Sequence, residues 1–245
     1  MKSLIALTRT ELKLYLREPA AFFFTLVFPL MLLVLFGSIF GNDPEDGFDG
    51  VGPMDASVPA YCGLIIATTA FMSLPIVIST YREQGIYRRM RATPVKPIMI
   101  ILSQLIVNLL LTILGLILLF IGGKLLYDLR TPEQPLMLMA MVLIGFLSMS
   151  AIGFLIGGWS PTARTAQVIG NIVFFPQLFL SGAALPRELF PDALQTWTAW
   201  LPMTKMIDTM KDAWNSDQVS VTGIIALIAI GVVAAAISSR VFSWE

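Results

Sequence analysis

Long apolar runs separated by short polar ones dominate the pattern of this chain. Six such runs stand out, at 20–40, 58–80, 98–121, 135–158, 165–184 and 221–240. Each is close to the roughly 20 residues that a helix needs to cross a hydrocarbon core of about 30 Å. Lipid offers no partner to backbone N–H and C=O groups, so each run is predicted as a helix. The pattern thus predicts an all-α integral membrane protein: six transmembrane helices in a single domain over 1–245, with no internal repeat.

Three flanking stretches have a different pattern. In 1–18, Leu4, Ile5, Leu12, Tyr15 and Leu16 share a helical face, while Arg9, Lys13 and Arg17 recur every four residues on another. This predicts an amphipathic helix along the membrane surface. The 81–96 segment is short and strongly basic. The 185–214 segment is too polar to span and too apolar for a solvated loop. Pro186, Pro191 and Pro202 punctuate it, and it predicts two short amphipathic helices near 193–199 and 204–214, resting on the outer interface or on protein.

Composition agrees. Hydrophobic residues make up 56% of the chain and charged ones 13%, with zero net charge; mean hydropathy is +0.80. Charge distribution says more than its sum. The N-terminus, 81–97, 159–164 and the C-terminus hold 11 of the 16 Lys and Arg residues, which predicts that these segments, and both termini, face the cytoplasm. The loop 41–57 carries only acidic charges. All five tryptophans (Trp159, Trp197, Trp200, Trp214 and Trp244) fall near span ends or in loops, as in an interfacial aromatic belt.

Absences narrow the function. There is no histidine and a single cysteine, Cys62, so the commonest general base and a two-cysteine metal site are missing. None of the six apolar cores contains an ionisable Asp, Glu, Lys, Arg or His, as proton- and ion-coupled carriers usually require. No phosphate-binding loop occurs; Gly122-Gly123-Lys124 is the nearest text and lies on the outer side in the predicted topology. Transport would draw its energy from a partner. Gln104 with Asn108, and Gln167 with Asn171, lie one turn apart on their spans. Interhelical hydrogen bonding accounts for them, and lining a pathway is the sharper alternative.

The 81–97 stretch, YREQGIYRRMRATPVKP, crowds Arg82, Arg88, Arg89, Arg91 and Lys96 between two spans. EQGIYRRMRA predicts two to three helical turns with Glu83 near the positive end, and Thr93-Pro94 disfavours continuation. The arginines suit topology and anionic head groups, or a cleft on a soluble partner. The stretch resembles the coupling segment of ABC-2-type transporter permeases, commonly R-E-x-G-T-x-x-R-L-R-A-T-P. Arg82, Glu83, Gly85, Arg89, Arg91, Ala92, Thr93 and Pro94 match, while Ile86 and Arg88 depart from it. A second stretch is similar to the S-G-x-x-x-P…P…L-P…D region of that family, through Ser181, Gly182, Pro186, Pro191, Leu201, Pro202 and Asp208.

The resemblance implies a permease subunit of a multidrug-type ABC exporter moving an amphiphilic small molecule, drug or lipid. Two permeases, most simply a homodimer, would pair above two copies of a separate ATPase subunit. ATP and Mg would bind on that partner, and this chain would hold no cofactor, metal or nucleic acid. Arg82, Glu83, Gln84, Gly85, Ile86, Tyr87, Arg88, Arg89 and Arg91 would form the coupling helix. Phe24, Phe28, Asn171, Phe175, Gln177 and Phe179 would line the path. Pro186, Pro191, Trp197, Trp200 and Pro202 would belong to an external re-entrant hairpin. A polysaccharide or teichoic-acid exporter, a membrane protein acting without ATPase, and an intramembrane enzyme stay as alternatives. The missing His and intramembrane carboxylates weigh against the last.

Overall fold

A computed structural model describes residues 2–15, 19–44, 51–91, 98–184, 187, 190–215 and 219–241. The helices are α1 (Lys2–Tyr15), α2 (Pro19–Phe22), α3 (Phe28–Phe40), α4 (Pro53–Thr68), α5 (Leu74–Glu83), α6 (Ile86–Arg91), α7 (Ile98–Tyr127), α8 (Pro135–Trp159), α9 (Ala163–Leu180), α10 (Asp192–Thr198), α11 (Pro202–Asn215) and α12 (Val221–Val241). No strand occurs among the described residues. Proline opens several of them (Pro19, Pro53, Pro135, Pro202), where its missing N–H costs nothing and its φ already suits a helix.

Among the described residues, five helical stretches are long and apolar enough to cross a membrane: Phe23–Phe40, Pro53–Glu83, Ile98–Tyr127, Pro135–Trp159 and Val221–Arg240. They correspond to the first, second, third, fourth and sixth predicted runs. The fifth run is helical as α9, but Arg164, Gln167, Asn171, Pro176 and Gln177 dilute its apolar character, and it is not among the five.

The stretch Pro53–Glu83 is central. The most apolar window within it is 83% buried, against 28% for Phe23–Phe40 and 22% for Val221–Arg240. At 31 residues it is roughly 45 Å long and joins two ends of the bundle. Apolar side chains gain little by leaving lipid for protein, so close packing and buried hydrogen bonds select these contacts. The stretch is not a uniform α-helix. A π-helical turn, Thr69–Ser73, separates α4 from α5, and a second, Phe23–Val27, separates α2 from α3. Both are followed within two residues by proline, Pro75 and Pro29.

One end gathers α11 and the connections around it. Met203, Met206, Ile207, Met210 and Trp214 recur at helical spacing and are fully buried against the bundle, so α11 rests on protein. Trp214 thereby departs from the predicted interfacial belt: it stacks on Phe120 with ring centroids 5.8 Å apart. Trp159, Trp197 and Trp200 remain exposed, at 72%, 79% and 74%. The Glu133 and Gln134 N–H groups donate to the Trp214 and Ala213 carbonyls. Asp55, buried at the start of α4, accepts from Asn42 Nδ2 at 3.1 Å and the Arg130 N–H at 2.9 Å. Arg130 also donates to Asn215. α7 runs past the predicted end at 121 because Tyr127 continues the packing: its hydroxyl donates to the Val34 carbonyl at 3.0 Å.

Candidate functional site

The other end carries α6. The sequence predicted one short helix from Glu83 onward, but the chain turns at Gly85, whose φ of +64° breaks the helix there. α5 stops at Glu83 and α6 begins at Ile86. Glu83 therefore does not sit at the positive end of α6. Its carboxylate Oε2 accepts the Ala163 N–H at 3.0 Å, at the first residue of α9, where the helix dipole favours an anion. Thr162 Oγ1 accepts from the Thr165 N–H at the same terminus. Next to it, Arg82 Nη1 donates to the Ser160 carbonyl at 3.1 Å. Arg82 and Glu83 together hold the connection between α8 and α9.

α6 itself is anchored from below by Tyr87, which is 4% exposed. Its ring meets Tyr81 edge-on, with centroids 6.2 Å apart, and its hydroxyl donates to the Ile78 carbonyl at 3.4 Å. Burial pushes the Tyr87 phenol up, against the opposing pull of Arg82. Arg88 and Arg89 point outward and are exposed; Arg89 Nη2 also donates to the Gln84 carbonyl at 2.8 Å. Gln84 is exposed and Ile86 half-buried. The Arg91 backbone ends α6. Ala92, Thr93, Pro94 and Lys96 lie outside the described residues.

Sequence reasoning missed Glu11. It lies four residues before Tyr15, on the same face of α1, and is 7% exposed. The Tyr81 hydroxyl donates to Glu11 Oε2 at 2.5 Å. Burial raises the Glu11 carboxyl above its usual range, while hydrogen bonds from Tyr81 and Gln104 pull it down. Tyr15 packs on Val107 and Leu111 and its hydroxyl donates to Thr25 Oγ1 at 2.6 Å. α1 is thus docked on the bundle through one face, and Arg9 and Lys13 stay exposed on the other. An acid interrupting an apolar face was the available signal.

The residues named for a path fall into two groups. Phe24 and Phe28 are half-buried on the first span, with centroids 5.8 Å apart. Asn171 is half-buried, and Phe175 and Phe179 are 45% and 50% exposed on α9. No ring contact joins the groups among the described residues. Gln177 is buried: its Oε1 accepts the Met203 N–H at 3.1 Å, in the first turn of α11. In the hairpin segment, Pro191 precedes α10, Pro202 opens α11, and Pro186 lies outside the described residues. Arg187 pairs with Asp208 at 3.2 Å. Burial raises the Asp208 carboxyl although Arg187, Lys211 and Lys205 all lower it.

Among the described residues no group of His, Cys, Asp and Glu could hold a metal ion. The arrangement is a short helix with the exposed Arg88 and Arg89, rooted in α5, whose Arg82 and Glu83 bond to the α8–α9 connection. Residues 2–214 match the family model described as ABC-2 type transporter. The chain is also similar to the "Putative transport permease YvfS" of Bacillus subtilis (strain 168), 25% identical over 195 residues, covering 78% of this chain and 77% of that protein. Matched over nearly its whole length, the chain belongs to the ABC-2 type transporter family, as a multi-pass membrane permease component of an ABC transporter.

Proposed function

We propose that the chain is the permease half of an ATP-driven exporter and that α6 receives the drive from a separate ATPase subunit. The observation that carries this reading is the geometry at α6. Arg88 and Arg89 are presented to solvent, while the adjoining Arg82 and Glu83 bond to Ser160 and Ala163. A push on α6 is passed to α5, α8 and α9 together. In this reading α9 is a sixth span, both termini are cytoplasmic, and the segment 185–214 caps the outer end as a hairpin. Two permease copies, a homodimer in the simplest case, stand over two ATPase copies that bind ATP and Mg.

Phe175 and Phe179, with the exposed Val168 and Ile172, form an apolar stripe on α9 with Asn171 within it. It suits the partner permease and an amphiphilic small molecule, drug or lipid better than a hydrated one. Phe24 and Phe28 supply the matching aromatic surface on the first span.

The test is capture of the ATPase by the purified permease. The Arg88→Glu/Arg89→Glu variant is expected to insert normally and to lose the ATPase; retention at the native level refutes the assignment. Cysteines placed at Arg88 and Trp197 in a Cys62→Ala background check the topology. Labelling of position 88 from inside and 197 from outside is expected, and the reverse overturns it.

A further inference from the structure

Pro75 interrupts the central helix in a specific register. In the π turn Thr69–Ser73 the Leu74 N–H reaches back five residues to the Thr69 carbonyl. The Ala70 carbonyl would next take the N–H of residue 75 in that register, and the Phe71 carbonyl would take it in the α register. Residue 75 is proline and has no N–H to give. In either register one of these carbonyls loses its ladder donor inside the most buried helix, where an unmet polar group is costly.

These same two oxygens are met by glycines from two other helices. The Ala70 carbonyl oxygen lies where a Cβ of Gly153 in α8 would stand, and the Phe71 carbonyl oxygen where a Cβ of Gly170 in α9 would stand. Only a glycine hydrogen fits there, giving the arrangement of a weak Cα–H···O contact. The π turn of the first span repeats the register without this close cover. Phe28 N–H bonds to the Phe23 carbonyl and Pro29 follows, but a Cβ on the facing Gly115 would stand 3.5 Å from the Thr25 carbonyl oxygen, an ordinary contact.

Weak C–H···O contacts tolerate a change of angle that a ladder hydrogen bond does not. A helix that lacks a ladder bond at a proline next to a π turn bends there at low cost. We propose that the turn ahead of Pro75, whose Ala70 and Phe71 carbonyls bear on Gly153 and Gly170, is the pivot about which the α6-carrying half, Leu74–Glu83, swings against α4, with α8 and α9 sliding over those two carbonyls. The proposal deepens the coupling reading and rests on it only for what drives the swing.

The test is a distance distribution between spin labels at Thr80→Cys, on the swinging half but off the ATPase-facing arginines, and Trp197→Cys in the Cys62→Ala background, in lipid nanodiscs. It is recorded for the permease alone and with its ATPase and a non-hydrolysable ATP analogue. Pro75→Ala returns an N–H without adding bulk against the glycines, and is expected to narrow the distribution of the permease alone and abolish the nucleotide-dependent shift. Gly153→Ala and Gly170→Ala are expected to displace the distribution and block the shift. Gly122→Ala, whose methyl meets only Leu30 Cδ2 at 3.6 Å, is expected to match the native protein. A native distribution in both Pro75→Ala and Gly170→Ala overturns the pivot. Should the glycine variants fail to fold, Pro75→Ala decides alone. Failure of the coupling reading is visible separately: the native distribution would ignore the nucleotide-bound ATPase while Pro75→Ala still narrowed it.

Discussion

Removing the Tyr81 hydroxyl isolates the contact that ties α1 to the root of α6. Tyr81→Phe keeps the ring, and with it the edge contact to Tyr87, and deletes only the donor to Glu11 at 2.5 Å. Glu11 is 7% exposed, so little water replaces the lost partner. A hydrogen bond to a charged, shielded group contributes about 1.5–3 kcal/mol, against about 1 for a neutral one. Taking about 2 kcal/mol, the population of undocked α1 rises roughly 30-fold, since about 1.4 kcal/mol is a factor of ten. α1 does not leave altogether, because Tyr15 still bonds to Thr25 and packs on Val107 and Leu111. The assay is amide hydrogen exchange of α1 in nanodiscs, read for Tyr81→Phe, Glu11→Gln and the double variant. Exchange should accelerate roughly 30-fold in Tyr81→Phe and less in Glu11→Gln, whose amide oxygen still accepts. The double variant should add little beyond the larger single effect, as expected for two groups in one contact. Native exchange rates in Tyr81→Phe, or two effects that simply add, would refute the reasoning.

Three further outcomes follow from the same geometry. Because burial raises the folded-state Glu11 carboxyl above its ordinary value of 4.5, the folded protein holds that proton more tightly than the unfolded chain; the stability linked to it is full below about pH 4.5 and is lost as pH rises through the raised value. The protection of α1, its exchange taken relative to the intrinsic base-catalysed rate at each pH, should fall as pH rises over that window, and Glu11→Gln should flatten the dependence. Glu83→Ala removes the acceptor at the α9 N-terminus, a loss of about 1 kcal/mol; exchange of the 163–165 amides should rise about fivefold, and an unchanged rate would show that the 3.0 Å contact is not made. Trp214→Ala empties a fully buried site against Phe120 and should lower stability by about 3–5 kcal/mol, measured as reversible unfolding in mixed detergent; a loss under about 1 kcal/mol would place Trp214 at the interface after all.

Much was legible in the sequence because lipid allows so few solutions. A run of some twenty apolar residues must satisfy its own backbone, so the apolar pattern alone placed Pro135–Trp159 and Val221–Arg240 to within a residue of their ends, and Ile98–Tyr127 at its start though not at its end. The basic 81–96 segment was conspicuous for the same reason, since charge beside such runs stands out. Gly85 belongs to the coupling motif, but a break there is not legible in the sequence, because glycine is permissive and only the φ of +64° shows that the permission is used. Glu83 was picked from its neighbours in sequence, but its partner Ala163 lies 80 residues away and belongs to another helix. Glu11 looked like an ordinary surface acid until Tyr81 and Gln104 closed over it, and Trp214 like a surface anchor until Phe120 stacked on it. The apolar pattern thus determined which segments are helical and able to enter a membrane, because backbone satisfaction is local. Which polar groups are shielded, and which glycine meets which carbonyl, was decided only in the tertiary structure, because those contacts depend on where separate helices cross.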